Sequence, residues 1–186
     1  MENNIFFDIN NLKSCGKNVI IGKTVRIRYP ELVEIADNVI IDDFTYVSTA
    51  LKIHSNVHIS SGCKIIGGKK AMVEFFEFST LSPNVVLAAG SDDYVSGIAT
   101  PLVDLKYKGN VEYGKIILKK HCIIGSNSVV LPNVKINEGA CVGALSLVKK
   151  DLEAWWLYAG VPVKKIKMRD KDKIKFLEDE YYKSLK

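Results

Sequence analysis

The chain has 186 residues, of which 47% are hydrophobic and 25% charged, and its formal net charge is +5. This length predicts one domain, residues 1–186, with enough chain to bury a core. No apolar run approaches 18 residues, so no membrane span is predicted, and the N-terminus lacks the basic start and apolar core of a signal peptide. We therefore expect a cytoplasmic protein whose four cysteines, none in a CxxC pair, are reduced and mostly buried.

Large apolar residues recur every six positions along most of the chain. They stand at Ile21, Ile27, Ile35, Ile41, Val47, Ile53, Ile59, Ile65, Phe75, Leu81, Leu87, Leu118, Ile124, Val130, Ile136, Val142 and Val148. A small or compact residue follows four positions later, as Cys122 follows Leu118. An α-helix cannot keep a period of six on one face, because it has 3.6 residues per turn. A short strand followed by a tight turn fits, and three such units per coil predict a parallel β-helix.

Coils are predicted over about residues 17–149, with interruptions at residues 28–31, 67–70 and 88–115. The longest interruption keeps no period, and long loops in compact repeat proteins are usually functional, although a neutral surface insertion is the alternative. Residues before Lys17 form either a short helix or an extended cap. The tail, residues 150–186, includes a helix predicted from about Lys171. Its apolar face packs on the coil or on a neighbouring subunit; the residues of this face are Ile174, Leu177, Tyr181 and Leu185.

The basic residues concentrate near the C-terminus, at Lys149, Lys150 and residues 164–169. No aromatic residues alternate with them, as they would on a base-stacking surface, so nucleic acid is not the expected partner. A phosphate-bearing small molecule and an ordinary solvated basic face both remain open from charge alone.

Three segments in the C-terminal half carry a family resemblance: Ile124-Gly125-Ser126, Val142-Gly143-Ala144 and Ala159-Gly160-Val161-Pro162. With the hexapeptide units and the long loop, the chain from about residue 17 to 170 resembles the left-handed β-helix (hexapeptide-repeat) acyltransferase superfamily. The loop segment Ser-Asp-Asp-Tyr at residues 91–94 resembles that of one group in the superfamily, the N-acyltransferases of nucleotide-linked amino dideoxysugars, such as those of anthrose biosynthesis. Galactoside O-acetyltransferases are more distantly similar.

The resemblance implies an all-β fold: a left-handed parallel β-helix with a protruding loop and a C-terminal α-helix, assembled as a homotrimer. It implies a reaction in the synthesis of lipopolysaccharide or capsule, in which acyl-CoA, expected to be acetyl-CoA, acylates a nucleotide-linked amino sugar (dTDP or similar). No metal is expected. The implied cofactor contacts are the backbone of Ser126 and Ala144 for the pantetheine arm, Lys149 and Lys150 near the adenosine, and Lys164 and Lys167 near the phosphates.

Asp92 occupies a position where the chain departs from the O-acetyltransferases. Those enzymes carry a histidine five residues after a coil leucine, and counting from Leu87 that position is Asp92. A sugar hydroxyl needs a base that titrates near neutrality, whereas an aspartate of ordinary pKa, about 3.9, is too weak. A neutral amine attacks a thioester unaided, and an aspartate can orient the ammonium and relay its proton. Asp92 therefore favours an amine acceptor.

Ser82 and His58 complete the predicted catalytic set. The Ser82 hydroxyl is placed to donate to the thioester oxygen as negative charge develops, or it is only a serine at an outer corner. His58 projects outward beside the inward Ile59, either to hydrogen-bond the acceptor or as a plain surface histidine. The implied acceptor contacts are His58, Ser60, Gly68, Asp92, Asp93 and Tyr94, of which Asp93 and Tyr94 either shape the loop or touch the sugar.

Three other functions remain as alternatives. One is an O-acetyltransferase that uses a different base. A second is a metal-dependent enzyme of the γ-carbonic anhydrase type, for which His58 and His121 are too few ligands. The third is a β-helix that serves as a scaffold or binding module without catalysis. No cysteine falls in the loop, so direct transfer without a covalent enzyme intermediate is expected.

Overall fold

A computed structural model describes residues 4–185. The strands in chain order are β1 Ser14–Cys15, β2 Val19–Ile21, β3 Arg26–Ile27, β4 Val33–Ile35, β5 Val39–Ile41, β6 Tyr46–Ile53, β7 Val57–Ile59, β8 Lys64–Phe75, β9 Thr80–Leu81, β10 Val86–Ala88, β11 Gly90–Ser91, β12 Glu112–Tyr113, β13 Lys115–Leu118, β14 Ile123–Ile124, β15 Val129–Val130, β16 Lys135–Ile136, β17 Cys141–Val142, β18 Leu147–Val148, β19 Trp156–Gly160 and β20 Val163–Met168. The helices are three short 3-10 turns, Ile9–Asn11, Pro30–Leu32 and Leu105–Tyr107, and α1, Lys171–Ser184.

The strands stack in parallel as a β-helix with three faces, as the period predicts. Face A consists of seven strands in the order β2-β5-β7-β9-β14-β17-β19, with β20 added antiparallel at the end. Face B contains β3, the first halves of β6 and β8, then β10, β15 and β18. Face C contains β1, β4, the second halves of β6 and β8, then β13 and β16. The three corners are called edges AB, BC and CA below.

The interior consists of the side chains that the six-residue period selects. Every large apolar position of that period, from Ile21 to Val148, is buried, because alternate residues of each strand point to opposite sides of the sheet. Small polar residues also enter the core, and their hydroxyls bond to the coil backbone, as Ser128 Oγ donates to the carbonyl of Gly143 at 3.0 Å. Among the described residues, no buried side-chain nitrogen or oxygen lacks a hydrogen-bond partner.

The corners depend on one residue with a left-handed backbone. It stands directly before the small inward residue and is asparagine at six corners, such as Asn127 with φ of 58°. Asparagine tolerates positive φ better than other residues with a side chain, and glycine tolerates it freely. Bulkier residues accept this conformation at other corners, including Phe44 and Leu145.

The structure shows the form of the N-terminal segment and the packing of the C-terminal helix, both of which the sequence left open. The N-terminal segment forms the short 3-10 helix, after which Leu12 is buried in the core. Helix α1 begins at Lys171 as predicted, with Asp170 as its N-cap. It packs back on the coil at edge CA through Glu178 and through Tyr181 of the expected apolar face, while Leu177 of that face is 54% exposed. No described helix is long and apolar enough to cross a membrane.

Candidate active site

Edge AB carries a column of predicted site residues. Ser60 and Ser82 follow face A strands in adjacent coils, where the backbone N–H of Ser60 donates to the carbonyl of Leu81 at 3.1 Å. Gly125 and Gly143 occupy the same position in the next two coils, so Ser126 and Ala144 lie one residue further along the same edge. The edge therefore places Ser82 within about two strand spacings, roughly 10 Å, of both residues expected to contact pantetheine.

His58 lies on the outer side of face A, one coil below Thr80. Its Nε2 atom is 2.9 Å from Oδ2 of Asp42, and both side chains are half-exposed. A ring held through one nitrogen has a defined orientation and presents the other nitrogen for a second partner. Sequence reasoning missed Asp42, although it follows Ile41 at the position that Ser60 and Ser82 occupy in later coils.

Edge BC carries the long loop, which is more ordered than a structureless insertion. It leaves face B after β10, pairs β11 with β12 as an antiparallel hairpin, and returns through β13. Its base is hydrogen-bonded to β8 on both sides of the extra residues 67–70, because the Ala89 N–H donates to the carbonyl of Ile66 and the Met72 N–H donates to the carbonyl of Gly114. Gly68, a predicted acceptor contact, lies between these two bonds along β8, and a Cβ added to it would meet no heavy atom within 4 Å.

Asp92 follows the hairpin strand β11 and makes an ion pair within the loop. Its Oδ1 atom is 2.8 Å from Nζ of Lys108, whose side chain is only 13% exposed, whereas that of Asp92 is 38% exposed. Sequence reasoning missed Lys108, because it lies where no period relates one residue to another and nothing marks it as a partner of Asp92.

Asp93 holds the loop together. Its Oδ1 accepts the N–H groups of Val95 and Ser96 at 2.9 and 3.0 Å, and its Oδ2 accepts that of Asn110 at 3.0 Å. These bonds, with Asn110 contributing most, lower the pKa of Asp93. Of its two expected roles, the contacts support shaping the loop. The neighbouring Tyr94 projects into solvent and is 89% exposed.

The basic residues occupy two different places. Lys149 and Lys150 follow β18 on edge BC, while Lys164 and Lys167 lie on β20, which forms a hairpin with β19 through Ala159-Gly160-Val161-Pro162. All four lysines are exposed. They form no compact cluster around one pocket of a single chain.

Ser82 and Asp92 lie at opposite ends of the same face B strand. The extended segment 85–90 separates them, and six residues at about 3.3 Å each place them roughly 20 Å apart. One chain therefore does not bring these two predicted catalytic residues into contact. No three His, Cys, Asp or Glu side chains converge on a metal site anywhere in residues 4–185.

A triangular parallel β-helix with one long loop and a basic terminal hairpin is the architecture of a hexapeptide-repeat acyltransferase. The chain is 38% identical over 164 residues to the dTDP-4-amino-4,6-dideoxy-D-glucose acyltransferase of Escherichia coli, a match that covers 86% of this chain and 83% of that protein. No family model matches the chain. On this identity and coverage, the chain belongs to the dTDP-4-amino-4,6-dideoxyglucose acyltransferase family, which confirms the resemblance drawn from its motifs.

Solved structures agree with this assignment. The N-acyltransferase AntD from Bacillus cereus, in complex with dTDP and 3-hydroxybutyryl-CoA, superposes with a TM-score of 0.90 and 41% identity over 98% of both chains. AntD structures include variants at a serine and at an aspartate ten residues further along the chain. A maltose O-acetyltransferase from Clostridium difficile, at 18% identity and a TM-score of 0.56 over 88% of this chain and 73% of its own, shares the fold.

Proposed function

We propose that this protein transfers an acyl group from acyl-CoA to the amine of dTDP-4-amino-4,6-dideoxyglucose or a closely similar nucleotide-linked amino sugar. The observation that carries the proposal is Asp92, a carboxylate at the base of the loop in a chain whose three histidines all lie outside it. The spacing of ten residues between Ser82 and Asp92 equals that between the serine and the aspartate varied in AntD. That enzyme has been solved with this amino sugar and coenzyme A.

The chemistry is direct transfer. The acceptor arrives as an ammonium, binds Asp92 and gives up one proton through it. The neutral nitrogen attacks the thioester carbonyl carbon, and an N–C bond forms while the oxygen becomes negative. Ser82 donates its hydroxyl to that oxygen. The intermediate collapses with cleavage of the C–S bond, and the CoA thiolate takes the second amine proton. The products are an amide, the CoA thiol and one released proton.

The separation of Ser82 and Asp92 favours sites between subunits, and the family resemblance implies that these subunits form a homotrimer. In this arrangement Ser82 and His58 of one protomer face Asp92 of the partner subunit. The acyl-CoA lies along Ser126 and Ala144, with its phosphates near the exposed lysines. Both substrates are cytoplasmic metabolites, so we place the reaction in the cytoplasm, where the amide would enter surface polysaccharide synthesis.

One observation favours a second candidate function, an O-acetyltransferase. The pair of His58 and Asp42 is an imidazole oriented by a carboxylate, an arrangement that can serve as a general base for a hydroxyl. It lies on face A, one coil below Thr80, the second residue before Ser82. A hydroxyl acceptor would then be activated by His58, with no need for Asp92.

The test compares matched acceptors. Purified protein is given acetyl-CoA and a panel of nucleotide-linked sugars that includes dTDP-4-amino-4,6-dideoxyglucose and its 4-hydroxy counterpart, with thiol release followed and products identified by mass spectrometry. We expect an amide product only from amino sugars. We also expect His58→Gln to lower the rate of thiol release much less than Asp92→Asn does. Turnover of the hydroxyl sugar alone, abolished by His58→Gln, would establish the O-acetyltransferase instead.

A further inference from the structure

The loop places a second charge beside the predicted catalytic carboxylate. Lys108 Nζ lies 2.8 Å from Asp92 Oδ1, and the lysine side chain is 13% exposed. A largely buried lysine needs a partner for its charge. In the proposed function the acceptor amine binds the same carboxylate, so the site must accommodate two amino groups around one aspartate.

Contacts within the loop hold the backbone of Lys108 close to Asp92. Its backbone N–H donates to the carbonyl of Leu105 at the end of the 3-10 helix, and its own carbonyl packs against Gly97, where an added Cβ would lie 2.0 Å from it. The next residue, Gly109, has φ of 67° and packs against the Asp93 carboxylate. Asp93 therefore fixes the segment that delivers Lys108 to Asp92.

The Lys108–Asp92 ion pair changes which protonation state of the acceptor amine the site favours. A carboxylate alone beside the acceptor would stabilise its ammonium form, which binds well but has no lone pair with which to attack. A cation on the same carboxylate cancels that effect, because a like charge disfavours a second ammonium nearby. The acceptor is then bound through a hydrogen bond to Asp92 as the neutral amine.

We propose that Lys108 is a positioning residue that orients Asp92 and offsets its charge, so that the acceptor amine is held in its neutral, nucleophilic form. This inference rests on the proposed function and names a residue that controls the protonation of its substrate. The proton lost by the acceptor leaves through Asp92 to solvent.

The other charged groups near the loop contact partners other than Asp92 and Lys108. The Asp93 carboxylate is occupied by three backbone N–H groups, and Glu112 accepts a hydrogen bond from Asn133 at 2.6 Å in the next coil. Lys106 lies over the ring of Tyr107 at 4.8 Å from its centroid.

From the neighbouring β8 segment, Lys70 lies over the ring of Tyr113 at 5.3 Å from its centroid. Asp104 stands at the exposed start of the 3-10 helix and makes no capping bond. Asp92 and Lys108 are therefore the charged pair that faces the acceptor amine from the loop.

The experiment measures kcat against pH for three variants with dTDP-4-amino-4,6-dideoxyglucose and acetyl-CoA. Lys108→Met removes the charge, Lys108→Arg keeps it, and Lys106→Met is the matched control in the short helix directly before Lys108. For Lys108→Met we expect the acidic limb of the profile to move up by about 1 to 2 pH units. The rate at pH 7 then falls about 10- to 100-fold and recovers towards pH 9. The other two variants keep the wild-type limb, and KM for acetyl-CoA stays unchanged.

A binding measurement separates this inference from the proposed function. Calorimetry of the same acceptor in buffers of different ionisation enthalpy counts the protons released on binding, and we expect wild type to release more than Lys108→Met at pH 7. A wild-type profile in Lys108→Met, or a loss of rate that is the same at every pH, would refute the role of Lys108 alone. Wild-type protein that neither binds nor acylates the amino sugar would refute the proposed function and this inference together.

Discussion

Ile116 and Ile117 offer a direct test of the packing argument, because adjacent residues of β13 face opposite sides of the sheet. Ile116 is fully buried and pairs with Val73 of β8, whereas Ile117 is half-buried on the outside of face C. Ile116→Ala removes three carbons, worth about 0.8 kcal/mol each on transfer from water. The cavity left in a narrow coil raises the loss of unfolding free energy to about 3–4 kcal/mol.

Thermal unfolding by circular dichroism measures the difference. At about 2–4 °C per kcal/mol for a chain of this size, Ile116→Ala should lower Tm by about 6–16 °C, and Ile117→Ala by less than about 4 °C. Both variants and wild type must be compared at one protein concentration, since assembly shifts Tm. Equal decreases for the two alanine variants would contradict the assignment of inward and outward positions.

Asp92→Asn should lower kcat/KM for the amino sugar by at least about 100-fold, the range of general acid–base catalysis, and near-wild-type activity would remove Asp92 from the mechanism. Native protein should take up one iodoacetamide per chain, at the exposed Cys15, because the other three cysteines are buried and burial raises the pKa of the Cys122 thiol to about 12. Mass spectrometry that finds rapid labelling of Cys122 would disprove this. Burial raises the pKa of Glu178, but its bonds to Lys120 and His121 outweigh burial and hold the pKa below its usual 4.5. Glu178 therefore stabilises the docked helix above about pH 4.5, and this stability is lost as the pH falls through the lowered value. In wild type and in the exposed control Glu180→Gln, protease cleavage before α1 should become faster as the pH falls through that range. Glu178→Gln should already be cleaved faster at neutral pH, with little further change on acidification.

The sequence by itself determined the coil, because each six-residue unit is a local pattern. An inward residue such as Ile124 and the turn after it are specified within a few positions, and stacking repeats the same choice in every coil. The C-terminal helix was also readable, since its start at Lys171 depends on a local N-cap. The placement of Ser82, Ser126 and Ala144 along one edge, with the last two one position later in their units, follows from the same period.

Only the tertiary structure decided which charged groups meet. Asp42 reaches His58 because coils stack about 4.8 Å apart, which brings together residues sixteen positions apart in the chain. Lys108 reaches Asp92 because the loop turns back on itself around Asp93, and no repeat relates those positions. Helix α1 likewise docks through the ion pairs of Glu178 with Lys120 and His121, together with Tyr181 of its apolar face. Periodic burial is encoded locally, whereas pairing within an aperiodic loop depends on the whole path of the chain.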